Sequence, residues 1–401
     1  MRKNLFIIVV LSFTIFMGVS VAQTNNEKKN KDELYRQVEL FSDTLAIIKN
    51  DYVDEAKPKD LIYGALKGML SSLDPHSQFM NPDTYNDLKI DTEGKFGGLG
   101  VEITIKDGLL TVITPIEDTP AWKAGIKPND HIVKINDALT REMTITDAVK
   151  KMRGKTGESV SLSILRDTEK KLLDFKITRA IIKIKDIKHA LMLVNGIAYI
   201  RLTEFRENTL QEFNNALSNL SKQGMNALII DLRNNPGGLL DVAVKIAGKF
   251  IQPNKLIVYT KSRREDQNLE FYSESKNSIC ELPLVIMINE GSASGSEIVA
   301  GALQDYKRAI IIGAKSFGKG SVQTVIPLSD GSALRLTTSR YFTPSGKIIH
   351  GLGVTPDIII EANKESQSAS LDIKNTFDYK TDPQITRAVD ALKVIKLYNE
   401  K

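Results

Sequence analysis

The sequence predicts an α/β fold, and three observations carry the prediction. Beyond Arg179, short apolar runs alternate with helical spacing: strand 197–202, helix 209–220, strand 227–232, helix 239–250, strand 255–260, strand 284–289, a helix, and strand 309–312. The run 284–289 is opened by Pro283 and closed by Gly291, breakers that make it a buried strand rather than a helix. A Gly/Ser-rich corner, 291–297, then leads into the helical spacing of Ile298, Val299, Ala300, Ala302 and Leu303, so a serine sits where strand turns into helix.

The elements before and after that core follow in order. Arg2 and Lys3, the apolar stretch 5–19 and Ser20-Val21-Ala22 before Gln23 have the three parts of a secretory signal peptide. Export, to a periplasm, is the expectation. A retained membrane anchor is the alternative, against which the apolar run is short of the ~20 residues a spanning helix needs. No cysteine lies near Ala22, which excludes a lipoprotein. Apolar residues at 34, 38, 40, 41, 45, 47 and 48 predict an amphipathic helix over 33–49; a second follows over 59–73 and a short one over 82–88. Glycines at 97, 98 and 100 then punctuate the apolar Leu99, Val101 and Ile103, and a helix is expected over 145–152. After the core, 322–327 and 332–341, joined through Ser329-Asp330-Gly331, read as a β-hairpin. Residues 364–376 are polar and read as a loop, and 382–397 as a closing helix.

Composition bounds the function. At 401 residues the chain is long enough for two or three domains, and 42% hydrophobic content supports packed cores. The 54 basic against 49 acidic residues are spread along the chain, so the net charge of +5 makes no basic stripe and nucleic acid is not an expected partner. One cysteine, Cys280, excludes an internal disulfide and any multi-cysteine metal site.

The corner at 291–297 is where chemistry is expected. At a helix start the first N–H groups lack partners and carry the positive end of the macrodipole, so an oxyanion beside Ser294 would be stabilised, with the Gly295 N–H as first donor. Position alone also suits Ser292, Ser294 and Ser296 as caps, with Glu297 completing a capping box. The run 313–323 is not a phosphate loop, because Gly320 stands where serine or threonine must follow the lysine. Nor is 291–295 a nucleophile elbow by pattern, since its centre is Ala293. What remains is a serine on a helix start and Lys319 between two glycines. None of His76, His131, His189 and His350 lies in either motif, which weakens a Ser/His/Asp reading. A lysine serves as base only when neutral; lowering its pKa by about three units costs roughly 4 kcal/mol and needs a desolvated site. Residues 310–312, Val322, Val325 and Ile326 offer apolar walls, and the Gln323 carbonyl oxygen could direct the amine.

This constellation resembles the carboxyl-terminal processing protease family, over nearly everything after the first two dozen residues. The resemblance implies Ser294 as nucleophile, Lys319 as general base and Gln323 as its orienting partner. It implies that Asp231-Leu-Arg-Asn-Asn-Pro-Gly237-Gly238 supplies the second oxyanion element, with Gly237 or Gly238 joining Gly295. One departure is Gly295 itself, where the family more often has alanine. A PDZ domain is implied by 96–101 together with the blocks at 108–113, 120–125, 129–136 and 161–164. There Gly98, Leu99, Gly100 and Val101 would bind a peptide: backbone N–H groups hold a terminal carboxylate, apolar side chains meet the tail, and the 145–152 helix forms the other wall. The implied fold is a crotonase-like α/β protease core with an inserted PDZ domain and an N-terminal helical segment. The division is 1–22 signal peptide, 23–90 helical segment, 91–178 PDZ domain, 179–362 protease core and 363–401 loop and helix.

The function expected is therefore an exported serine endopeptidase that engages unstructured or hydrophobic C-terminal tails through the PDZ domain and cuts through an acyl-enzyme, with no cofactor or metal. A noncatalytic PDZ adaptor on a decayed core and an acyl-thioester enzyme are the alternatives. Retention of Ser294, Lys319 and Gln323 favours the protease. The sequence leaves open peripheral or anchored membrane association, homo-oligomerisation and a regulatory adaptor.

Overall fold

The computed structural model describes residues 32–116, 118–166, 168–169, 171–274, 281–361 and 378–399. The expected signal peptide, Cys280 and the 364–376 loop lie outside them. The chain forms two units, residues up to 81 and residues from 82 onward.

In the first unit, helix α1 spans 32–51 and α2 spans Pro58–Ser71, with a proline in the first turn where no N–H partner is lost. The turn after α2 is tied by Asp74, whose carboxylate accepts the N–H groups of His76 and Ser77 and the Ser77 hydroxyl. Strand β1, Gln78–Met80, then brings Phe79 to 4.7 Å from the Tyr63 ring.

The second unit opens with α3, Pro82–Glu93, a turn longer than the spacing predicts, and β2, Lys95–Gly98. A sheet follows in the order β3 (Val101–Lys106), β4 (Leu109–Pro115), β5 (His131–Ile135), β7 (Ser159–Leu165), β8 (Leu173–Thr178), with β6 (Ala138–Leu139) on β5. Its helices are α4, Pro120–Lys123, and α5, Ile145–Met152, the second over the expected residues. The buried Leu110, Val112, Ile132, Ile135, Val160 and Ile164 form a core separate from that of the rest. Strand β9, Ala180–Lys183, returns antiparallel to β2, so the inserted domain enters and leaves through adjacent strands.

The remaining chain is the α/β core. Its main sheet runs β10 (Ile187–Val194), β11 (Ile197–Leu202), β12 (Ala227–Asp231), β15 (Leu284–Ile288), β16 (Ile310–Gly313), β19 (Ile358–Ile359); β10 is antiparallel and the others are parallel. Strands β12 and β15 are buried throughout, as a parallel sheet covered on both faces requires. Ile230, Ile286 and Ile288 face helices α6 (Thr209–Lys222), α7 (Leu240–Gly248) and α8 (Gly295–Asp305); Ile229, Val285 and Met287 face the closing helix α9, Pro383–Asn399, at Ile385, Ala388, Val389 and Leu392.

Strand β13, Leu256–Ser262, continues the strand series in sequence but leaves the main sheet. It pairs antiparallel with β14, Glu270–Tyr272, and with β18, Ala333–Phe342, which is also the partner of β17, Ser321–Pro327. Strands β12, β15 and β16 are parallel neighbours, so the loops after them emerge at one edge. Those loops are 232–239, 289–294 and 314–320.

Candidate active site

The three serines of the 291–297 corner have different fates. The Ser292 hydroxyl donates to the Leu232 carbonyl at 2.7 Å and the Ser296 hydroxyl to the Asn235 carbonyl at 2.9 Å; both residues are fully buried. Ser294 is half-buried and lines a cavity of about 660 Å³. Its backbone stands at φ 52° and ψ −113°, a conformation costly for a residue with a side chain. That is the sharp strand-to-helix corner of a nucleophile elbow, built without the elbow's sequence pattern.

Two asparagines hold the neighbouring loop against this corner. Asn235, fully buried, donates to the Leu202 carbonyl at 2.9 Å, while its own carbonyl accepts the Ala293 N–H at 3.0 Å. Asn289 bridges to Asn234 through bonds of 2.8 and 2.9 Å. The approach is so close that a Cβ on Gly237 would lie 2.7 Å from both the Ser294 Cβ and the Gly295 nitrogen, and one on Gly238 would lie 2.2 Å from the Phe205 carbonyl oxygen. Gly237 and Gly238 are thus required by contact, at φ 103° and 136°.

The two glycine N–H groups are not equivalent. The Gly237 N–H is committed to the Asn235 side chain at 2.9 Å. Among the described residues, no partner is recorded for the N–H of Gly238 or of Gly295. Beneath the loop, the Asp231 carboxylate accepts the Tyr199 hydroxyl and the Arg233 guanidinium, both at 2.7 Å, and Arg233 reaches Asp382 at 2.9 Å. Burial pushes the Asp231 carboxyl up, but Arg233 and the hydrogen bonds outweigh it and hold it below the usual carboxylate range.

Lys319 lines the same cavity as Ser294 and is half-buried. Burial lowers its pKa, the Arg335 cation lowers it further, and Glu297 partly opposes both. No hydrogen bond joins its amine to the Ser294 hydroxyl among the described residues. Gln323 also lines the cavity, but its amide donates to the Ser321 hydroxyl at 2.9 Å rather than meeting the lysine. Of the apolar walls expected, Val322 and Val325 do face the cavity. Ile311 and Ile312 are packed inside the main sheet and Ile326 is 39% exposed, so they do not serve. A register shift between Val322 and Gln323 lets consecutive residues of β17 face the cavity.

Glu297 shows in the sequence only as a capping residue, and Tyr341 carries no motif that marks it. Glu297 is fully buried and its carboxylate takes four donors: Ser316 hydroxyl at 2.5 Å, Gly318 N–H at 2.7 Å, Ser294 N–H at 2.8 Å and Lys319 N–H at 2.9 Å. Burial raises its pKa and those four bonds oppose the rise. The capping-box spacing was the one signal for it. Tyr341 and Arg335, from β18, carried no signal because they reach the cavity across the hairpin.

In the inserted domain, β3 is an edge strand with α5 packed beside it. Among the described residues no partner is recorded for the N–H groups of Leu99 and Gly100. The Leu99 side chain, expected to meet a tail residue, is 2% exposed and belongs to the domain's own core, so only its backbone faces outward chemistry. Gly98 is paired with Ala180, and Val101 and Ile103 are partly buried against that core.

Comparison with known proteins agrees with this architecture. The profile of peptidase family S41 matches residues 196–360, a PDZ profile matches 111–166, and the profile of the activating protease CtpB N-terminal domain matches 11–84. A carboxy-terminal-processing protease of Bartonella bacilliformis is 42% identical over 366 residues, covering 90% of this chain and 83% of that one. The carboxy-terminal processing protease CtpB of Bacillus subtilis is 35% identical, covering 88% and 73%. The crystal structure of a putative S41 protease from Bacteroides fragilis, 15% identical, superposes with a TM-score of 0.51 over 88% of this chain and 96% of that one, a likeness of fold. These relatives are bacterial; among the described residues no helix is long and apolar enough to cross a membrane. The chain belongs to peptidase family S41, among the carboxy-terminal processing proteases, and is a serine-type peptidase with a PDZ domain.

Proposed function

We propose that this peptidase is exported, grips apolar C-terminal tails of protein substrates through its PDZ domain, and cleaves them with Ser294 as nucleophile and Lys319 as general base. One observation carries the reading. Ser294, at a strained helix start beside the unspent N–H groups of Gly295 and Gly238, shares one cavity with a lysine whose proton affinity is lowered by burial.

The neutral Lys319 amine takes the Ser294 proton as the Oγ–carbon bond forms, and the carbonyl π pair moves to the oxygen, which the Gly295 and Gly238 N–H groups receive. Collapse breaks the C–N bond, and Lys319 returns the proton to the leaving amine. Water then repeats the sequence on the acyl-enzyme. Gln323 turns its carbonyl oxygen to the amine in the substrate complex; catalytic hydrogen bonds commonly tighten only then. Leu239, Phe271, Ile298, Val322 and Val325 line the cavity and suit an apolar substrate side chain.

A tail lying along the free edge of β3 would continue that sheet, with its carboxylate on the Leu99 and Gly100 N–H groups. Holding it there raises its local concentration at Ser294. The leader-like residues 1–22 support export.

The test is cleavage of an unfolded protein ending in apolar residues. Ser294→Ala and Lys319→Ala are expected to abolish it; full activity in Lys319→Ala would remove the lysine from the mechanism. A chain lacking 96–167 that cuts substrates with and without a free apolar tail as the intact protein does would remove the tail-binding role. Amino-terminal sequencing of the periplasmic protein is expected to begin at Gln23.

A further inference from the structure

Tyr341 is 2% exposed and lines the cavity of Ser294 and Lys319, on the strand paired with the one that follows the lysine loop. It grips that loop twice. Its backbone N–H donates to the Gly320 carbonyl at 2.9 Å, and its phenol donates to the carbonyl of Lys319 itself. The same phenol and the Ser294 side chain line one cavity.

The directions of these bonds follow from donor inventory. A carbonyl oxygen can only accept, so the single phenol hydrogen goes to Lys319. The phenol thus fixes the lysine's backbone. The rest of the loop has no slack to absorb a shift. The Lys319 N–H is held by Glu297 at 2.9 Å, Gly318 accepts the Gly351 N–H at 2.8 Å, and a Cβ on Gly320 would meet the His350 nitrogen at 2.4 Å.

We propose that Tyr341 is a positioning residue for the Ser294–Lys319 pair: by gripping the Lys319 carbonyl, its phenol sets the height of the lysine backbone, and so of its amine, against the serine hydroxyl. This rests on the proposed catalytic roles of Ser294 and Lys319. The phenol neither gains nor loses a proton in the cycle, in keeping with burial, which drives its pKa well above the ordinary tyrosine value. Its contribution is alignment, where displacements of about 1 Å can cost roughly 100-fold in rate.

The experiment compares wild type, Ser294→Ala and Tyr341→Phe. It measures covalent labelling of Ser294 by a small fluorophosphonate and kcat and KM on an unfolded peptide with an apolar carboxy terminus. Tyr341→Phe is expected to slow labelling and lower kcat by the same factor, roughly 10- to 100-fold, with KM within about twofold. Labelling at the wild-type rate, or an effect confined to KM, overturns the proposal. The catalytic reading stands or falls separately, on whether wild type is labelled and Ser294→Ala is not.

If Tyr341→Phe does not fold, 3,5-difluorotyrosine placed at 341 keeps the ring and lowers the phenol's proton affinity. A positioning phenol then adds an ionisation to the pH profile of labelling that wild type lacks. A ring that only fills space leaves the profile unchanged, which overturns the proposal.

Discussion

Ser294 and Lys319 donate their main-chain N–H groups to one and the same atom, Oε2 of Glu297, at 2.8 and 2.9 Å. The other carboxylate oxygen takes the Ser316 hydroxyl and the Gly318 N–H. A carboxylate alone among side chains offers acceptors on both branches, so it can clamp two loops whose facing groups are all donors. Glu297→Gln would point an NH₂ at one of those donor pairs. We expect kcat/KM to fall at least about 100-fold and the fold to lose about 2–4 kcal/mol, read from activity and thermal unfolding. Near-normal activity in Glu297→Gln would mean that the clamp does not align the pair.

The pH dependence follows from the lysine. Burial and Arg335 both disfavour its charged form, so activity should rise as pH climbs through a pKa below the ordinary lysine value. Arg335→Gln removes a repelling cation, so the ammonium persists to higher pH and the rising limb moves upward. A limb that stays in place in Arg335→Gln would assign it to a group other than Lys319.

The same burial costs stability. Folding lowers the lysine's affinity for its proton, so the unfolded chain binds more protons between the lowered and the ordinary value, and stability rises with pH there. Below that window the ammonium penalty is present in full. Lys319→Met removes it and is expected to raise Tm by about 2–4 °C near neutral pH while abolishing cleavage, with the gap narrowing towards high pH. An equal or lower Tm at neutral pH would show the ammonium to be well accommodated.

Gly237 and Gly295 face each other, yet they should respond differently to alanine. A Cβ at Gly237 would lie 2.7 Å from the Ser294 Cβ at φ 103°, so Gly237→Ala is expected to cost at least ~2 kcal/mol and most of the activity. At Gly295 the contacts are 3.2 Å to Phe205 and 3.3 Å to Ala243, side-chain atoms able to give slightly. Gly295→Ala should keep activity within about threefold and stability within about 1 kcal/mol. Equal losses from the two substitutions, in one melting and one kinetic measurement, would contradict the contact argument.

The sequence by itself determined the α/β core, the position of Ser294 at a strand-to-helix corner and Lys319 between its glycines, because each is written in short-range periodicity and breakers. Position alone left three serines in contention; the family resemblance pointed to Ser294, and the tertiary structure gives Ser292 and Ser296 carbonyl partners from the 232–235 loop. The sequence left Gly237 and Gly238 equivalent until Asn235 consumed the N–H of one. Glu297 shows in sequence only as a cap, since its partner Lys319 is 22 positions away and comes near because β15 and β16 are parallel neighbours. Local spacing encodes which element forms. Which donors remain unspent depends on strand order and loop approach, which no short window of residues contains.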